Sequence, residues 1–342
     1  MKKLWLLVGV VCLGLLMCIS PDTGTIEITS NPSGAYVYLD GDYTGKETDC
    51  VLRDVPFGDH TLTLVLSGYP SWKRYITLSE DQPDLDINAD FTIIPAQVTG
   101  LTAEATTNGA GFKLTWEPAE NAETYKVYFR PYDYYYDEEL LADGLTTTEY
   151  THANPEYTGR YRVSGDAGGM EGPKSEALST ESTPVRYLEV CELNGPGYSG
   201  ISWDVLTGFP ASYLMADETY QDRIDCYFTN LATGYTDTPY YLAGADVVAE
   251  DEGNTWLDPD GWRAARVSDP VDFHIYEGGL APAGSYKKYT EVEEYETYAV
   301  LTEDGYYALM YVEYIDPGRG EVDISTTFQP IKGSRLFSGE YY

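Results

Sequence analysis

Histidine is scarce in this 342-residue chain: there are three, His60, His152 and His274, far apart in sequence. A Ser-His-Asp set, a Cys-His pair or a histidine metal cluster would require distant segments to converge, so nucleophilic and zinc catalysis are discounted. No two of the five cysteines have the C-x-x-C spacing of a redox or zinc site. Nothing reads as G-x-x-x-x-G-K, or as G-x-G-x-x-G leading into a helix, and from about Pro184 to Tyr342 no amphipathic helical pattern lasts more than a few turns. Positive charge is also short. Against 56 Asp and Glu stand 21 Lys and Arg, giving a net charge of −35 and a pI near 4.1, with the acids spread along the whole chain. Such a surface repels nucleic-acid phosphates and anionic membranes, so no nucleic-acid partner is expected.

What is present begins with Lys2 and Lys3 ahead of an apolar run from Leu4 to Met17. That run is too short for a comfortable span of roughly 20 residues and reads as an export signal over residues 1–18. Leu15-Leu16-Met17-Cys18 resembles a lipoprotein cleavage box with Cys18 as the lipidated residue, although Met17 stands where that pattern has a small residue. Ordinary cleavage near Ser20 and an uncleaved anchor are the alternatives. No later segment is long and apolar enough to cross a bilayer, so the chain is expected at the cell envelope or extracellular surface, touching membrane only through its signal or a lipid anchor. In that oxidising setting Cys191 and Cys226 form a candidate disulfide, leaving Cys50 unpaired.

The remainder divides into three β-rich stretches. In residues 24–93, Ala35, Val37 and Leu39 alternate with Tyr36 and Tyr38, and Leu62, Leu64 and Leu66 alternate with Thr61, Thr63 and Val65. Each run presents one apolar face at period two, and Asp40-Gly41 supplies a tight hairpin turn. The order of Pro32-Ser33-Gly34-Ala35, Asp40-Gly41, Gly58 and Gly68-Tyr69 resembles the PEGA module over about Thr25 to Phe91, with Lys46 to Cys50 intervening where the family has Thr-Pro after the glycine at Gly45. The resemblance implies a bacterial or archaeal surface module and carries no catalytic residues.

Residues 94–182 contain Pro95 to Leu101, Phe112 to Pro118, Tyr125 to Phe129 and Tyr161 to Ser164, four runs that read as strands of a sandwich. They resemble a fibronectin type III domain, with Trp116 as its core tryptophan and Tyr161 as the tyrosine corner whose hydroxyl returns to the backbone. Residues 184–342 stay β-like, with candidate strands at Tyr187 to Glu192, Gly200 to Asp204, Arg223 to Thr229, Val271 to Tyr276, Thr297 to Thr302, Tyr306 to Tyr314 and Glu321 to Phe328. Tyr298 to Leu309, Glu321 to Ile324 and Ser202-Trp203-Asp204 are weakly similar to HmuY-like lipid-anchored β-proteins. Some of those carry haem between two histidines; only His274 lies here, so the haem function does not transfer.

The expectation is an all-β protein: a small PEGA-like β-sandwich, a fibronectin type III β-sandwich and a larger β-rich C-terminal domain. Its expected role is non-catalytic binding, adhesion or spacing, with a cell-wall polysaccharide, glycan or surface protein as partner. Tyr134, Tyr135 and Tyr136 in an acidic loop, and Trp256 and Trp262 in the C-terminal domain, are candidate ligand-surface aromatics. Asp258 and Asp260 flank a proline before Gly261 and are candidate calcium ligands; no other cofactor is expected. The alternative reading makes the C-terminal domain a small-ligand carrier or a carbohydrate-processing domain, since acid counts alone do not exclude paired carboxylates.

Overall fold

The computed structural model describes residues 22–132, 135–254 and 256–339; the export-signal expectation with Cys12 and Cys18, and the candidate Tyr134, lie outside them. The described chain is nearly all β, broken by two short 3-10 turns at Glu218–Tyr220 and Ala245–Ala249. It forms two compact units that divide between Ile94 and Pro95.

The first unit has seven strands: β1 (Thr23–Asn31), β2 (Tyr36–Leu39), β3 (Asp42–Glu47), β4 (Cys50–Pro56), β5 (Gly58–Val65), β6 (Trp72–Leu78) and β7 (Asp84–Asp90). They make one sheet of order β4-β1-β7, with β1 and β7 parallel, and another of order β3-β2-β5-β6. The period-two apolar sets meet between them, where Ile26, Ile28, Val37, Leu62, Leu64 and Leu78 are buried together. Asp40 and Gly41 both have left-handed backbones (φ 52° and 93°), the pair of positive angles that a two-residue hairpin matching strand twist requires. The Asp40 carboxylate then accepts from the Thr61 amide at 2.8 Å and bonds His60 Nδ1 at 2.6 Å. Lys46 to Cys50 carry the chain from one sheet to the other. Within this crossing, buried Thr48 accepts through its hydroxyl from the amides of Gly34 (3.1 Å) and Ala35 (3.0 Å).

The second unit opens with β8 (Thr102–Ala105), β9 (Phe112–Thr115), β10 (Thr124–Pro131), β11 (Glu139–Leu145), β12 (Glu149–His152), β13 (Gly159–Ala167), β14 (Met170–Glu171) and β15 (Leu178–Ser179). Sheets of order β12-β9-β8 and β11-β10-β13-β14 face each other, with β15 also on β13. Phe112, Leu114, Trp116, Tyr125, Val127, Phe129, Tyr161 and Val163 fill the space between them. Pro95 to Leu101 is not a strand: Gly100 turns left-handed (φ 65°) and the ladder starts only at Thr102. The Tyr161 hydroxyl meets His152 Nδ1 at 2.8 Å rather than backbone, because β12 brings that histidine over the ring.

Twelve strands follow: β16 (Arg186–Cys191), β17 (Gly200–Trp203), β18 (Pro210–Tyr213), β19 (Cys226–Thr229), β20 (Tyr241–Gly244), β21 (Arg266–Pro270), β22 (Gly279–Leu280), β23 (Tyr289–Glu291), β24 (Thr297–Leu301), β25 (Tyr307–Asp316), β26 (Glu321–Gln329) and β27 (Leu336–Phe337). Two five-stranded sheets, β16-β26-β25-β24-β21 and β18-β17-β19-β20-β23, enclose a core of Trp203, Phe228, Leu242, Val300, Met310 and Phe328. Each sheet is covered on its other face as well. Ala299, Leu309 and Tyr311 pack on Ile275, Ala281 and Phe337, while Tyr227 and Ala243 pack on Met215, Ile224 and Val248. This explains why both alternating sets of β25 are apolar or aromatic. Val271 to Tyr276, expected as a strand, is instead a turn in which the Glu277 amide donates to the His274 carbonyl at 2.9 Å. The strand ends at Pro270, and Ile275 plugs the covered face.

The sandwich and the C-terminal sheets share contacts within this unit. Leu336 of β27 lies in the sandwich core, the Arg335 guanidinium donates from Nε to the Asn108 carbonyl at 2.9 Å, and the Thr183 amide donates to the Phe328 carbonyl at 2.8 Å.

Candidate functional site

The β17–β18 hairpin builds one wall of a cleft. Its turn is closed by Asp204, whose Oδ1 accepts from the amides of Leu206 (3.0 Å) and Thr207 (2.8 Å) and from the Thr207 hydroxyl (2.9 Å). Those bonds from Thr207, backbone first, hold the Asp204 carboxyl below its ordinary range. With the turn fixed this way, Val205, Leu206 and Phe209 project outward, Leu206 being 92% exposed and Phe209 52%. These are large apolar side chains in water at the lip of a polar cleft, which marks a contact surface rather than ordinary scatter.

The cleft has a volume of about 330 Å³. Trp203 is its aromatic back: the indole Nε1 donates to Thr326 Oγ1 at 3.1 Å, and its plane lies within 17° of the Phe328 ring, which Tyr306 stacks from elsewhere in the core. Beside it Asp225, 2% exposed, accepts from Arg263 Nε at 2.9 Å, and the same guanidinium reaches Asp304. Burial raises the Asp225 carboxyl to about 6 in spite of the arginine beside it. Asp222 and Arg223 complete the polar rim, with Ser202 and Thr302 adding hydroxyls. The cleft therefore presents the exposed Phe209 ring at its lip and carboxylate, guanidinium and hydroxyl groups along its walls, with Trp203 and Phe328 buried behind them as its floor.

None of this set was singled out as a site from sequence. Asp225, Arg263 and Asp304 lie far apart in the chain and belong to no motif; Ser202-Trp203-Asp204 stands out in sequence only through the weak HmuY-like similarity. The structure places the expected site residues elsewhere. Trp256 is half exposed, its Nε1 directed at Asn194 Oδ1 at 3.4 Å, while Trp262 is packed against the Met215 and Ile224 cluster and donates to the Asp258 carbonyl at 2.7 Å. Asp258 and Asp260 lie on one exposed turn. Asp258 Oδ1 accepts from the Asp260 amide at 3.0 Å to shape the turn, and among the described residues no three His, Cys, Asp or Glu side chains gather as a metal would require.

No bridge joins Cys191 and Cys226, which are free thiols on strands of different sheets. The Cys191 sulfur fills the space beside Gly197, 2.6 Å from where a Cβ would stand, and Cys226 is wholly buried in the main core. Burial pushes both thiols up, so neither is a ready thiolate. Cys50 is likewise free. His274 stacks on Tyr276 and leans on Tyr311, on the covered face away from the cleft lining.

In the loop between β10 and β11, Tyr135 is 91% exposed. Tyr136 is half exposed and stacks on Tyr157 at 6.3 Å.

Residues 23–92 match the family model of the PEGA domain. Among solved structures, an Fn3-like protein from Clostridium thermocellum is 27% identical, with 24% of this chain and 84% of that one covered and a TM-score of 0.21. The structure titled FN3tt is 18% identical, with 25% of this chain and 92% of that one covered and a TM-score of 0.21. No curated protein matches the chain.

Proposed function

We propose that this is a non-catalytic binding protein of the cell envelope or surface, in which the PEGA domain serves as a spacing or wall-contact module and the second unit binds a neutral wall glycan in the β17–β18 cleft. The observation that carries the reading is the joint presence of the exposed Phe209 and the Asp225–Arg263–Asp304 chain around one cleft of about 330 Å³ floored by the buried Trp203. Its lining holds four aspartates against two arginines, which disfavours an anionic ligand there and suits hydroxyl donors.

Export fits the PEGA match, and among the described residues no helix is long and apolar enough to cross a membrane. Lipidation at Cys18 belongs to the same proposal.

A sugar-processing reading draws on the converging carboxylates. It is the weaker one, because Asp204 is spent on its own turn and Asp225 and Asp304 are both held by Arg263, which leaves Asp222 of the four lining aspartates and so no free acid and base pair flanking a bond. The test is sedimentation of the intact chain with insoluble wall polysaccharide. Binding is expected to saturate, and Phe209→Ala at the cleft's lip is expected to weaken it about tenfold without changing secondary structure; retention unchanged by that substitution, or slow release of reducing sugar from the pellet, would count against a non-catalytic glycan cleft.

A further inference from the structure

We propose that the outer face of the β10–β13 sheet is a second ligand site, one that takes a terminal acidic sugar by its carboxylate or sulfate. This goes beyond the cleft and does not depend on it.

The strand register sets up the site. Val127, Phe129, Tyr161 and Val163 point into the sandwich, so Tyr128, Arg130, Arg160 and Arg162 stand on the opposite face. Arg130 lies directly across from Arg160, and Tyr128 across from Arg162. Like charges directly opposite on one sheet face are destabilising. In a chain with 21 basic residues against 56 acidic ones, carboxylates to separate them would be easy to come by. Here Arg130, Arg160 and Arg162 line one hollow together with Asp137 and Glu138.

The neighbouring acids are partly committed. Arg160 Nε pairs with Glu181 at 3.1 Å, and Glu138 is taken by Lys174 at 2.6 Å. Arg162 is exposed and forms no ion pair among the described residues.

A concavity matches this chemistry. Arg130, Arg160, Arg162, Tyr136, Asp137 and Glu138 line a hollow of about 270 Å³, and a second hollow of about 140 Å³ shares Arg130 and Arg160. The larger falls just below the roughly 300–1,000 Å³ of drug-sized sites, so it admits one ring with its charged group rather than a polymer segment. A guanidinium fork matches a carboxylate or sulfate oxygen pair, and Tyr136 with Asp137 offers a ring face and an acceptor for hydroxyls. The net charge of −35 repels a polyanion at a distance. At physiological salt that field is screened within about 8 Å, so at contact the arginines decide. A single acidic sugar at a chain end meets both conditions.

Calorimetric titration of the intact chain with methyl glucuronide, glucose and sodium sulfate tests this. Methyl glucuronide is expected to bind saturably and more weakly as salt rises, glucose not to bind at this face, and sulfate to bind more weakly than the glucuronide. Arg162→Gln should lower glucuronide affinity about tenfold or more, and Arg162→Lys should restore part of it, since charge is kept and the fork lost. Melting temperature is read on each variant to show that the exposed position leaves the fold intact. Phe209→Ala in the cleft should leave glucuronide binding unchanged, which separates this site from the other. Equal binding of glucose and glucuronide, sulfate binding as tightly as glucuronide, or undiminished binding by Arg162→Gln would overturn the proposal.

Discussion

Asp225 shows how little of a residue's behaviour is written in its identity. It is one acid among 56, yet it is the one of the cleft that burial raises to about 6, against an ordinary value of 3.8. The folded carboxyl keeps its proton through that window while the unfolded one has released it, so its contribution to stability is fully present below about pH 4 and declines as pH rises toward 6. The span corresponds to on the order of 2–3 kcal/mol. Asp225→Asn should flatten this segment of the stability curve, checked by urea midpoints between pH 4 and 7; an unaltered slope would mean that Asp225 ionises normally. Sequence reading could not have found this acid, because what distinguishes it is the roof formed by Trp203 and the arrival of Arg263 from β20–β21. The resemblance to a fibronectin type III domain did imply Trp116 and Tyr161 as core residues, and both are buried between the sandwich sheets. For the Tyr161 hydroxyl the same reading chose backbone and missed His152, a partner supplied by another strand.

At the scale of elements, strands whose two faces differ were legible and segments whose role depends on a neighbour were not. The β2–β5 pair and the Asp40-Gly41 turn follow directly from alternation and from the left-handed backbone that the turn requires. Val271 to Tyr276 alternates equally well, yet it serves as a plug on a sheet face rather than as a strand. Cys191 and Cys226 lie near one another in composition but on different sheets, which no spacing rule records. The crossing from β3 to β4 was equally opaque, and its anchor is Thr48, whose hydroxyl accepts from two amides of the Pro32 to Ala35 turn. Thr48→Val keeps the shape and removes the acceptor, leaving the buried Ala35 amide without it while the Gly34 amide keeps the Thr48 carbonyl. It should destabilise the first unit by about 1–3 kcal/mol, measured as a shift in the urea transition of the intact chain followed by exchange of residues 22–94. A shift below a few tenths of a kcal/mol would show that the Thr48 backbone, which also bonds Gly34 and Ala35, suffices.

For the molecule as a whole, the sequence pattern divides residues 94–342 in two, whereas the structure gathers the chain from Pro95 onward in one compact unit. Arg335 is the residue most responsible. Buried at 8% exposure, it donates to carbonyls of Asn108 and Ala281 and through its amide to Gly109, so one side chain ties the sandwich loop to two C-terminal segments. The sandwich and the C-terminal sheets are therefore expected to melt in one transition, and Arg335→Met to split it or lower it by several degrees, since buried carbonyls lose a charge-assisted donor. Calorimetry with hydrogen exchange decides; separate transitions for residues 95–182 and 184–339 in the unaltered chain would refute the coupling.

Whether the cleft is the glycan site is read most directly by hydrogen exchange of the intact chain with and without a soluble neutral wall oligosaccharide. Protection gathered in 202–213, 222–225 and 302–304 is the expected result. Protection confined to residues 22–94, or no protection anywhere at saturating oligosaccharide, would contradict the assignment of the cleft.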